Sequence, residues 1–121
     1  MNPINFLALN RAALIVKPKK AYIDWANSLG DGGPKLDLDE PPPEYTIYLV
    51  EELGQDIDPR PALRMHCSSI FDQELAGWHT DPNAFPPKRD LETFSEWFDV
   101  ELHSLVVDLA GSPLETEELA G

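Results

Sequence analysis

A single cysteine, Cys67, occurs in the 121 residues, so no intramolecular disulfide can form. That excludes the small secreted scaffold stapled by disulfides and points to a reducing compartment. Basic residues are also few: 9 Lys and Arg stand against 22 Asp and Glu, for a formal net charge of -13. Phosphate backbones and anionic lipid surfaces repel such a chain, which argues against direct nucleic-acid or membrane binding. A basic protein partner, a cation, or solubility alone remain as reasons for the charge. No apolar run reaches the length of a membrane span. The opening stretch, residues 1–10, has no basic segment and too short an apolar run for a signal peptide. The expected location is the cytoplasm.

The chain does contain strong punctuation, with 12 Pro and 7 Gly, between segments of clear periodicity. Ala12-Ala13-Leu14-Ile15-Val16 is a short continuous apolar run and predicts a strand over 11–17. Pro18 stops it and opens a helix to about Leu29. Tyr22, Trp25, Ala26 and Leu29 share one face of that helix, and Gly30 is placed to cap it. Residues 30–44 hold Gly-Asp-Gly-Gly-Pro and Pro41-Pro42-Pro43 and read as a loop; Leu36-Asp37-Leu38-Asp39 alternates like a short edge strand. Tyr45-Thr46-Ile47-Tyr48-Leu49-Val50 predicts a strand over 45–51. A helix over 61–78, with Asp58 near its start, carries the stripe Leu63, Cys67, Ile70, Phe71, Leu75 and Trp78. Thr80-Asp81-Pro82 ends it. Asp90 opens a short helix to Phe98, and a last strand is expected over 100–109. The acidic residues 112–121 read as a frayed tail on one domain spanning 1–111.

This order, β-α-β-α-α-β, predicts an α/β fold, with α+β as the alternative. Crossovers through helices usually join parallel neighbours, so a small, mostly parallel three-stranded sheet is expected. All three strands are apolar on both faces. Either helices cover both sides of the sheet, or one side is buried in a homodimer.

Four polar residues stand out as chemistry. Asp99, Glu101 and His103 alternate along a strand and should share one face. Two carboxylates and an imidazole so spaced could bind a divalent ion or do acid–base work. No paired-Cys or His-Glu-x-x-His signature accompanies them, so no metal or other cofactor is expected, and a polar strand entry is the plainer account of them. Glu74 lies inside the apolar stripe of its helix, where an ionised carboxylate is costly unless paired. It is expected to be buried against His103, His79 or Arg89, with His66 at the edge of the same stripe. A buried carboxylate beside a histidine is a candidate general base; a structural ion pair is the plainer account. His79-Thr80-Asp81 reads as a helix-ending turn, and Cys67 as a packed thiol. Trp97 lies beside its helix's apolar face and is the aromatic placed to reach a partner. There is no Gly-rich phosphate loop.

Residues 74–81 (Glu74-Leu75-Ala76-Gly77-Trp78-His79-Thr80-Asp81), 94–104 and 106–109, and the opening Asn10-Arg11-Ala12-Ala13-Leu14-Ile15-Val16-Lys17-Pro18-Lys19, resemble a family of small uncharacterised bacterial proteins. The resemblance implies one domain from a bacterial cytosol and assigns no residue a role. The favoured function is a non-enzymatic acidic interaction module that binds a basic protein. One alternative is a small hydrolase, metal-dependent or acid–base, using Asp99, Glu101, His103 and Glu74; another is a nucleic-acid mimic.

Overall fold

The computed structural model describes residues 7–29, 45–54, 57–79 and 81–119. The expected Gly30 cap, the 30–44 loop with its Leu36–Asp39 strand, and Thr80 lie outside them. The elements run β1 (Leu7–Ala8), β2 (Arg11–Pro18), α1 (Lys20–Ser28), β3 (Thr46–Glu51), α2 (Arg60–Ala76), a 3₁₀ turn (Pro82–Ala84), α3 (Leu91–Trp97), β4 (Phe98–His103) and β5 (Val107–Asp108).

The sheet corrects the parallel expectation. Its order is β3-β2-β4, and β2 is antiparallel to both neighbours. A second, two-stranded antiparallel ribbon joins β1 to β5. The protein is therefore α+β. The crossover rule supposes that a helix alone makes the return trip between neighbouring strands. Here β3 follows β2 only after α1 and the long connection from Leu29 to Tyr45, and it enters the sheet reversed. The rule survives one strand further on. β3 and β4, joined through α2 and α3, run in the same direction on either side of β2.

The last strand also differs from the single run expected over 100–109. It begins directly at the end of α3, where Phe98 is already extended (φ -139°, ψ 143°), and it stops at His103. From Ala13 back to Ala8 the chain spans five residues, while its partner needs four, from His103 to Val107. One extra residue thus separates sheet from ribbon, as at a β-bulge. Leu9 N–H donates to the Val106 carbonyl at 2.8 Å in this joint.

All three helices serve the core that lies against one face of the sheet. Ala12, Leu14 and Val16 point to it and are fully buried, and Val50, Ile70, Phe71, Leu75, Phe94 and Phe98 complete it. Phe71 and Phe98 meet edge to face at 5.3 Å, and Phe94 and Phe98 are 5.1 Å apart, the offset geometry that aromatic quadrupoles favour. Polar tips fasten the helices. Tyr22 Oη–H donates to the Glu74 carbonyl (2.8 Å), Trp25 Nε1–H to the Ala84 carbonyl (2.8 Å) and Trp78 Nε1–H to the Ala26 carbonyl (3.1 Å). Asp90 caps α3 by accepting from the Thr93 amide at 2.9 Å. Asp58 accepts from the Arg60 amide at 3.0 Å at the start of α2 and also pairs with the Arg60 guanidinium.

Candidate functional site

Strand alternation and the register divide the candidate residues between two faces. Opposite the core, Ala13 lies between Leu49 and His103, Ile15 between Ile47 and Glu101, Lys17 beside Asp99, and Arg11 beside Glu51. This outer face carries Asp99, Glu101 and His103 together, as their spacing predicts. Its other half is apolar. Ile47 and Leu49 are 60% and 50% exposed, although the same strand buries Val50 on its other side. Of the two coverings expected for a doubly apolar sheet, helices supply one, on the inner face.

On the outer face His103 Nε2 lies 3.0 Å from Glu101 Oε2, and Lys17 Nζ lies 3.4 Å from Glu101 Oε1. These two groups, His103 first, hold the Glu101 carboxyl below its ordinary range. Lys17 also stands 5.5 Å from the centre of the Tyr45 ring. Glu101 and His103 are both about half exposed. Asp99 does not join them, and among the described residues no three His, Cys, Asp or Glu side chains are grouped to hold a metal ion.

Glu74 lies across the sheet, on the core side. It is half-buried, and its partner is not the histidine or arginine expected from the helix stripe. Tyr48 Oη–H donates to Glu74 Oε2 at 2.8 Å, and the Thr46 side chain bonds the same carboxylate. Burial pushes the Glu74 carboxyl above its ordinary value, with the two hydrogen bonds opposing, and burial beside Glu74 pushes the Tyr48 and Tyr22 phenols up. Neither Arg89 nor His103, nor His66 at the edge of the stripe, pairs with it. His66 Nε2 lies 2.8 Å from Glu51 Oε2, Arg89 Nε lies 2.9 Å from Asp72 Oδ1, and His103 is on the outer face. The sheet therefore separates Glu74 from Asp99, Glu101 and His103, and the four-residue hydrolase set is not assembled.

The remaining candidates settle locally. Asp81 shapes the turn after α2 by accepting from the Asn83 amide at 3.0 Å. Cys67 is buried, and burial pushes its thiol pKa up, away from nucleophilic use. Trp97 is partly buried in an aromatic cluster, 5.4 Å from Phe71, 6.0 Å from Trp25 and 6.4 Å from Tyr22. Its ring packs in the molecule itself.

Two grooves border β3. One, of about 610 Å³, is lined by Glu51, Glu52, Asp58 and Met65 among others. The other, of about 290 Å³, lies between the edge of β3 and α2 and includes Tyr48, Leu49, His66, Ser69, Ile70 and Gln73. The residues not singled out from sequence are Ile47 and Leu49. Their signal was the absence of alternation in 45–50, which marks a strand apolar on both faces without saying which face is left open.

No family model, curated protein or solved structure matches the chain. Among the described residues no helix is long and apolar enough to cross a membrane.

Proposed function

We propose that this protein is a non-catalytic interaction module that docks a basic protein on the outer face of its sheet. The observation that carries the reading is the pairing of an exposed apolar strip, Ile47 and Leu49, with the carboxylates Glu51, Asp99 and Glu101 on the same face. An apolar centre with a charged rim is the anatomy of a protein-binding surface, and fully burying an Ile or Leu contributes roughly 1.5–3 kcal/mol. The net charge of -13 selects for positive partners and against phosphate backbones. The family resemblance of the sequence adds the expectation of a bacterial cytosolic setting. An enzymatic reading would need a concave site around Glu101 and His103, and these two stand half-exposed on a sheet face.

Affinity capture on the tagged protein from its own cells, followed by binding measurements with the recovered partner, tests this. Reversing the charge at Asp99→Lys with Glu101→Lys should weaken binding about tenfold or more in a chain that circular dichroism still shows folded. Unaltered binding by that variant would overturn the reading. So would turnover of a small molecule that vanishes in a folded His103→Ala protein.

A further inference from the structure

We propose that β3 pairs with β3 of a second copy of this chain, antiparallel about a two-fold axis through Tyr48, joining two three-stranded sheets into one of six. This goes beyond the partner-docking reading: it concerns the edge of β3, whose Ile47, Leu49 and Glu51 also belong to the docking face.

The two edges of the sheet are built differently. β4 displays Asp99, Glu101 and His103, the kind of charged guard that keeps an edge strand from recruiting another chain. β3 reads Thr-Ile-Tyr-Leu-Val-Glu and has no Lys, no Pro and no charge before Glu51. Among the described residues nothing pairs with its free edge. The flank of α2 in the groove beside β3 carries Ser69, Ile70 and Gln73, with the His66–Glu51 pair at one end. In a chain of 22 acidic residues, a surface so poor in charge is the depletion expected at the core of an interface. Leu119 also lines this groove, but it is 71% exposed and makes no backbone hydrogen bond to β3.

The register follows from strand geometry. Residues directly opposite one another share a face, so a two-fold axis between identical antiparallel strands must pass through a residue position. Centred on Tyr48, Ile47 lies opposite the partner's Leu49 and Thr46 opposite the partner's Val50. Tyr45 then lies opposite the partner's Glu51. Lys17 Nζ already stands 5.5 Å from the Tyr45 ring, so each arriving Glu51 carboxylate meets a cation. Centring on Leu49 instead puts the Glu51 carboxylate opposite the apolar Ile47. Of these two registers, the first is the one self-complementary in both charge and apolar surface. Either register places the two copies of α2 on the same side of the joined sheet.

Sedimentation velocity and light scattering on the full chain at tens of micromolar test the proposal. The expected mass is twice the 13.5 kDa of one chain. Two chains of like net charge repel, so self-association should tighten as salt rises. Ile47→Glu alone and Leu49→Lys alone should each loosen the dimer about tenfold or more, because a charge then enters an apolar pair. Both side chains are exposed in the single chain, so circular dichroism should show both variants folded. An equimolar mixture of the two should regain the dimer, since the new carboxylate of one chain faces the new amine of the other. A wild-type chain that stays monomeric, a dimer that survives either variant, or a mixture that fails to reassociate would each overturn the proposal. The docking reading is decided separately, by Asp99→Lys with Glu101→Lys, which lies on β4 and should leave the dimer intact.

Discussion

Glu74 occupies a position where the stripe of α2 calls for a hydrophobe, and its carboxylate is kept there by the Tyr48 phenol and the Thr46 side chain. Glu74→Gln retains an oxygen to accept the Tyr48 hydroxyl and removes the cost of burying a charge. At neutral pH it should stabilise the fold by the order of 1 kcal/mol, measured by urea denaturation. Glu74→Ala should instead cost about 1–3 kcal/mol by leaving the phenol without its acceptor. The pH dependence has a definite sign. Burial raises the folded-state value above the ordinary 4.5. Below 4.5 both folded and unfolded chains hold the proton, and the charge costs nothing. As pH rises through 4.5 toward the folded value, the unfolded chain ionises first and stability falls. The advantage of Gln over Glu should therefore appear as pH climbs out of the acid range and vanish below it. Equal stability of the two at every pH would show that the charge is not penalised. The anomaly of Glu74 was legible in the helix periodicity; its partner was not. Tyr48 reads from sequence as a strand former, and its meeting with Glu74 depends on packing between distant elements.

At the scale of elements, α3 is the most instructive. It has only seven residues, too few to persist alone, so a cap and a core contact must hold it. The Asp90 carboxylate accepts from the Thr93 amide, and that bond above all holds its pKa below the ordinary 3.8. Asp90→Ala should lower the thermal midpoint by a few degrees at neutral pH. The difference should fade as acid passes through the lowered folded-state value, where the wild-type carboxylate takes up its proton. Phe94, 1% exposed against Phe71 and Phe98, supplies the core contact; Phe94→Ala should cost about 3–5 kcal/mol in equilibrium unfolding. The existence of α1, α2, α3, β2 and β3 was readable because each rests on local periodicity and on breakers such as Pro18 and Asp90. Strand direction was not, because pairing β2 to β3 is a non-local choice made across the 30–44 connection. The short β1 has no signal in the sequence, and β5 does not separate from β4, because two-residue strands leave no periodicity to read. The open face of the sheet was half legible: an apolar run told that both faces of β3 would be apolar, and only the helices' position told which one is left to solvent.

The whole molecule is governed by its charge of -13, and salt should act on it in three distinguishable ways. Excess like charge destabilises a compact state through self-repulsion, and added ions screen it within a Debye length of roughly 8–10 Å near physiological strength. The ion pairs work in the opposite sense but are few and exposed, such as Lys20 with Asp24 and Arg60 with Asp58. Exposed pairs are screened by solvent and cost side-chain entropy to hold, so net repulsion should dominate. The thermal midpoint should accordingly rise between low salt and a few hundred millimolar NaCl. Self-association through β3 should tighten over the same range, because the two copies repel. Binding of a basic partner to the outer face should weaken, because there the long-range force is attractive. The three signs are measured on one protein in one salt titration, by calorimetric scanning, by sedimentation and by partner binding. A thermal midpoint that falls with salt would mean that local ion pairs outweigh the net charge. Partner binding that strengthens with salt would show an apolar contact acting alone, with the carboxylates of Glu51, Asp99 and Glu101 serving solubility rather than recognition.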